Sequence, residues 1–126
     1  MEMNSVSWFE IPVTDMQRAK KFYETVLDIE IAVHDFNGTL MGWFPFAQGK
    51  PGASGSLIQH PEWYKPSSSE GVLIYLSSSD VQQELSRVEA AGGQVLKPKT
   101  MISESVGYMG VFLDSEGNRM ALHSHQ

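Results

Sequence analysis

The sequence predicts an α+β domain of two βαβββ modules, with their strands joined into a curved, eight-stranded mixed sheet around a cleft. Three observations predict it. Apolar residues alternate at period two and then recur at helical spacing, and this order occurs twice. The helix caps Asp15 and Asp80 stand 65 residues apart, and the same offset moves Leu27-Asp28-Ile29 onto Gly92-Gly93-Gln94 and Gly52 onto Gly117. The 126 residues are 41% hydrophobic and 19% charged, the composition of one globular domain.

The elements follow in order. Ser5 to Val13 alternates, with Phe9, Ile11 and Val13 on one face and Trp8 and Glu10 on the other, as a strand does. Thr14-Asp15 offers a cap, and Met16, Ala19, Phe22, Tyr23, Val26 and Leu27 then form a helical face. Ile29 to His34 reads as a strand, Asp35 to Gly38 as a turn and Thr39 to Phe46 as a strand. A loop rich in Gly and Pro leads to a short strand at Gly55 to His60. Residues 61–70 carry two prolines and three consecutive serines and read as a linker. Gly71 to Ser77 is a strand, and Val81 to Ala91 a helix that Gly92-Gly93 stops. Gln94 to Met101, Ser105 to Leu113 and Arg119 to His123 complete the second set. A lone βαβββ unit leaves a sheet face bare. The two are therefore expected to form a single domain over residues 1–126, with one module at about 5–60 and the other at about 71–125.

Charge narrows the function. Nine Lys and Arg against fifteen Asp and Glu give a net charge of -6, which argues against nucleic-acid and anionic-membrane partners. There are no cysteines, so no disulfide scaffold, thiol nucleophile or Cys-ligated zinc is available. No stretch approaches the roughly 20 apolar residues of a membrane span. The first residues lack the basic and apolar pattern of a signal peptide, so cytoplasmic residence is expected.

Two segments carry a family signature. Asp15, Ala19 and Phe22-Tyr23 follow the first strand as D-x-x-x-A-x-x-F-Y, and Asp114, Gly117, Asn118 and Leu122 spell D-x-x-G-N-x-x-x-L. With the repeated order, the chain resembles the vicinal oxygen chelate superfamily of glyoxalases, bleomycin-resistance proteins and extradiol dioxygenases over essentially its whole length. The resemblance implies a cleft that usually holds a divalent metal with four side chains, from the first and last strands of each module. Those positions fall here on Trp8, Ser56, Leu73 and Ala121. Three cannot ligate a metal and serine is a poor ligand, so no cofactor is expected. A displaced metal set would have to draw on Glu10, His123 and His125.

Period two places Trp8, Glu10, Leu73, Tyr75, Arg119, Ala121 and His123 on the cleft face, with Trp43 and Tyr108 as further candidates. Trp8, Trp43, Leu73, Tyr75, Tyr108 and Arg119 are thus candidate ligand-binding residues for a planar or partly apolar small molecule. Glu10 and His123 are the candidate catalytic pair, because a carboxylate in low-polarity surroundings with a histidine partner suits proton transfer. Glu10 could equally brace the sheet through Arg119. Three functions stay open: a binding protein for a small aromatic or amphipathic compound, a glyoxalase-like lyase or isomerase, and an interaction protein with a filled cleft. A homodimer is expected, because unpaired strand edges invite pairing.

Overall fold

The computed structural model describes residues 3–126. The first module comprises β1 (Phe9–Pro12), α1 (Met16–Leu27), β2 (Ala32–Phe36), β3 (Thr39–Trp43) and β4 (Gly55–Gln59). The second comprises β5 (Tyr75–Ser77), α2 (Val81–Ala91), β6 (Gln94–Ser103), β7 (Gly107–Leu113) and β8 (Arg119–Ser124). The βαβββ modules are those the sequence predicts. The eight strands divide into two four-stranded sheets, ordered β1-β4-β3-β2 and β5-β8-β7-β6, which do not close on one another.

The 65-residue offset extends to the strand register. Glu10 lies opposite Ser56 in the parallel pair β1/β4, and Tyr75 lies opposite Ala121 in the parallel pair β5/β8. It breaks before the last strand of each module. Trp43 pairs with Ser56 whereas Val111 pairs with Ala121, so the β3–β4 connection is three residues longer than its counterpart.

Each helix starts on an aspartate whose side chain accepts a backbone N–H, that of Arg18 for Asp15 and that of Gln82 for Asp80. Each ends on a left-handed residue, Asp28 or Gly92. The β2–β3 hairpin is tighter than expected. Asn37 and Gly38 both take positive φ, Phe36 pairs with Thr39, and β2 therefore runs to Phe36 rather than stopping at His34.

One hydrophobic core joins the modules. It contains Ile11, Phe22, Val26 and Leu57 from the first and Leu76, Leu85, Phe112 and Leu122 from the second. Phe22 reaches Phe112 with ring centroids 6.0 Å apart, and the buried Tyr23 hydroxyl donates to Asp114 at 2.6 Å. Among the described residues no helix is long and apolar enough to cross a membrane.

β1 and β5 are edge strands, and the gap between the modules opens beside them. The β7–β8 turn closes one end of that gap. Asn118 donates to the Pro12 carbonyl at 2.7 Å, and Glu116 accepts from the Thr14 and Asp15 amides. In the first module, 65 residues earlier, Asp114, Glu116 and Asn118 correspond to Gly49, Pro51 and Ala53. None of these side chains can hydrogen-bond across to α2, and that end of the gap stays open.

Candidate functional site

The open end is a groove of about 850 Å³. Residues before and along β1 supply Trp8, Phe9 and Glu10, and the segment through β5 supplies Leu73, Tyr75 and Leu76. The long β3–β4 connection adds Phe44 and Lys50, and α2 adds Glu84. Along the same gap lies a smaller cavity of about 230 Å³, lined by Glu10, Lys65, Glu70 and Arg119 among others. Glu10, Val72 and Ile74 line both.

Four of the sequence-predicted residues, Trp8, Glu10, Leu73 and Tyr75, thus meet around the groove. Trp8 and Tyr75 are 43% and 50% exposed, so their rings are open to a ligand. Arg119 joins Glu10 at the smaller cavity, but the Glu10 carboxylate is held by Tyr64, whose hydroxyl donates to it at 2.6 Å. That hydrogen bond, together with desolvation, raises the Tyr64 pKa above its ordinary value. Tyr64 lies in the linker, where no periodicity signals a partner for Glu10.

Trp43 lines neither cavity. It meets Trp8 edge-on at 6.4 Å between centroids, and His34 and Phe36 at 4.2 and 6.2 Å, forming an aromatic strip on the first sheet. Tyr108 is corrected. It pairs with Ser124, whose hydroxyl accepts the Val81 N–H of α2, so Tyr108 takes the helix-side face with Lys99 4.6 Å from its ring. Parity along β7 sends Met109 and Val111, not Tyr108, to the face shared with His123 and Ala121.

His123 has the expected parity, yet it does not meet Glu10 at either cavity. Its Nε2 lies 2.6 Å from the Val106 carbonyl, and its ring packs edge-on against His125 at 4.9 Å. Among the described residues no three His, Cys, Asp or Glu side chains come together as a metal site, Glu10, His123 and His125 included. The physical reason is separation: Glu10 turns to the linker's Tyr64, and the two histidines cluster beside the β6–β7 turn.

The profile of the Glyoxalase/Bleomycin resistance protein/Dioxygenase superfamily matches residues 5–122. The chain belongs to this superfamily. Among solved structures, the superfamily domain from a Frankia species aligns with a TM-score of 0.74 at 16% identity, covering 99% of this chain and 100% of that one. TnmS3, an antibiotic binding protein from a Streptomyces species, aligns at 0.70 with 26% identity and 98% coverage of both chains. Glyoxalase I from Zea mays aligns at 0.68 with 18% identity over 94% of this chain and 45% of its own, so the chain spans about half the length of that enzyme. No curated protein sequence matches the chain.

The superfamily's usual metal positions do not fit a divalent cation here. Trp8, Leu73 and Ala121 offer no lone pair for one, and Ala121 is fully buried. Ser56 is fully buried as well, and its hydroxyl has no hydrogen-bond partner among the described residues. A single sealed hydroxyl is no coordination sphere.

Proposed function

We propose that the protein binds a small aromatic or amphipathic molecule in the groove beside β1 and β5, without metal-dependent chemistry. One observation carries the reading: Trp8, Glu10, Leu73 and Tyr75 line a single 850 Å³ groove with apolar walls and few polar groups. The volume suits a ligand of drug size. The likeness to TnmS3, an antibiotic binding protein, at 26% identity over 98% of both chains supports the same class. In this reading Glu10 and Tyr64 orient the ligand by hydrogen bonding, and neither Glu10 nor His123 is given a catalytic step.

Tryptophan fluorescence titration tests the proposal with three naphthalene probes: 2-naphthalenemethanol, 2-naphthylmethylammonium and 2-naphthoate. Saturable quenching by at least one, reduced in Trp8→Phe, is expected. The absence of saturable binding for all three, up to their solubility limits, overturns the proposal in favour of a filled-cleft interaction protein. A homodimer belongs to the same proposal, because β6 is an edge strand that exposes Leu96, Met101 and Ile102. Sedimentation velocity checks it, and a monomer at micromolar concentration overturns that part.

A further inference from the structure

We propose that Glu84 makes one part of the groove a cation subsite, so that the ligand is an amphiphile with an ammonium or amidinium group on an apolar body. This deepens the binding reading above and rests on it.

The argument starts from the repeat. α2 buries Val81, Glu84, Leu85 and Val88, and the position 65 residues before Glu84 is Ala19, fully buried in α1. A carboxylate thus stands where the other module has a methyl group. Glu84 is 8% exposed. Burying a carboxylate is costly unless charge or hydrogen bonds compensate it. Among the described residues its sole hydrogen-bond partner is the Ser78 hydroxyl, and no Lys, Arg or His pairs with it.

The Ser78 bond has its own structural use. Ser78 Oγ also accepts the Asp80 N–H at 3.0 Å, so it helps shape the start of α2. That engages only Oε1 of Glu84. Oε2 makes no hydrogen bond, yet it is not sealed away, since Ser56 Oγ is the sole sealed and unpartnered side-chain polar atom among the described residues. Glu84 lines the groove, which is where the proposed subsite places Oε2.

Phe9, Leu27, Ile29, Phe44 and Leu76 share this lining and keep the surroundings apolar. An entering cation would pair with a carboxylate already stripped of most of its water. Such pairing is stronger than at an exposed site. Lys50 also lines the groove, but it is exposed on the β3–β4 connection and keeps its hydration.

The test uses the same probe set, chosen because 2-naphthylmethylammonium and 2-naphthalenemethanol are close in shape and differ in charge. Wild type is expected to bind the ammonium about tenfold more tightly than the alcohol. Glu84→Gln, which keeps an oxygen for Ser78, should lose that preference, the two affinities falling within about twofold of one another. If the variant keeps the preference, the subsite assignment is overturned while the binding reading stands. If neither probe nor 2-naphthoate binds wild type, both fall. Should Glu84→Gln not fold, salt decides on wild type. A preference that survives to about 0.5 M salt supports a desolvated pair, and one that collapses marks long-range attraction to the acidic surface and overturns the assignment.

Discussion

The Glu116 carboxylate, on the β7–β8 turn, pairs with the Arg18 guanidinium at 2.6 Å and accepts the Thr14 and Asp15 amides at 2.8 and 2.9 Å. It therefore ties the second module to the start of the first module's helix. The tie has no counterpart across the pseudo-repeat, where Pro51 stands opposite Glu116 in the alignment of modules. One end of the intermodule gap is clasped and the other stays open.

The clasp predicts a pH dependence. Burial pushes the Glu116 carboxyl up, but Arg18, Thr14 and Asp15 outweigh it and hold the group at about 2, against 4.5 for an ordinary glutamate. A folded-state value below the unfolded one means stability that is complete above about 4.5 and lost as pH falls toward 2. Glu116→Gln should cost about 2 kcal/mol at neutral pH. The gap between wild type and variant, from urea unfolding, should narrow steadily on acidification. A gap independent of pH means that the charge contributes nothing.

Tyr23 and Asp114 predict the opposite sign two residues away. Burial raises the Asp114 carboxyl above its ordinary range, against hydrogen bonds from Tyr23, Asn118 and Glu116. Its contribution is complete below the unfolded value of 3.8 and lost as pH rises through the folded one. Tyr23→Phe removes the 2.6 Å hydroxyl donor and leaves the buried carboxylate less satisfied. We expect a loss of about 1–3 kcal/mol at pH 7, and a smaller one near pH 4, where Asp114 carries more protons. Equal losses at both pH values contradict the pairing.

Ser56 predicts a gain. Its hydroxyl is sealed and unpartnered between Glu10 and Trp43 on the neighbouring strands. Removing an unsatisfied buried hydroxyl relieves its desolvation cost, so Ser56→Ala should leave stability unchanged or raise it by up to about 1 kcal/mol. A loss beyond about 1 kcal/mol by chemical denaturation means that the hydroxyl has a partner after all.

Much of this was legible in the residues. Both helices run over the expected spans, Met16–Leu27 and Val81–Ala91, because caps and apolar spacing agree at each end. The repeat offset was legible too at the caps, helix exits and turn glycines, and the structure extends it to the pairings of Glu10 with Ser56 and Tyr75 with Ala121. Tyr108 was not, because period two assigns faces only after one residue is anchored, and its anchor is the Ser124–Val81 bond. Glu84 was hidden because a carboxylate at an apolar helical position gives no hydrophobic signal. The groove was hidden because it arises from bonds that Gly49, Pro51 and Ala53 fail to make, which matters only once the clasp by Glu116 and Asn118 is known.

Gly55 predicts a severe packing limit. It opens β4 opposite Phe9, and an added Cβ would lie 2.3 Å from the Phe9 carbonyl oxygen and 2.5 Å from its ring. Backbone cannot yield as a flexible side chain does. Gly55→Ala should therefore cost about 2–3 kcal/mol, read as a drop in the urea midpoint with an unchanged slope. A variant within about 0.5 kcal/mol of wild type contradicts this close approach of β1 and β4.

Tyr75 separates binding from folding. It lies on the groove wall opposite Ala121 and is 50% exposed, so its ring adds little to the core. Tyr75→Ala should change stability by no more than about 0.5 kcal/mol. The same ring offers a ligand an aromatic face, worth about 1 kcal/mol or so for a stacked or edge-on partner. Affinity for 2-naphthalenemethanol should therefore fall about fivefold, measured by quenching of the retained tryptophans. If affinity holds while the variant stays folded, Tyr75 is no part of the binding wall, and the ligand seat shifts toward Phe44 and Trp8.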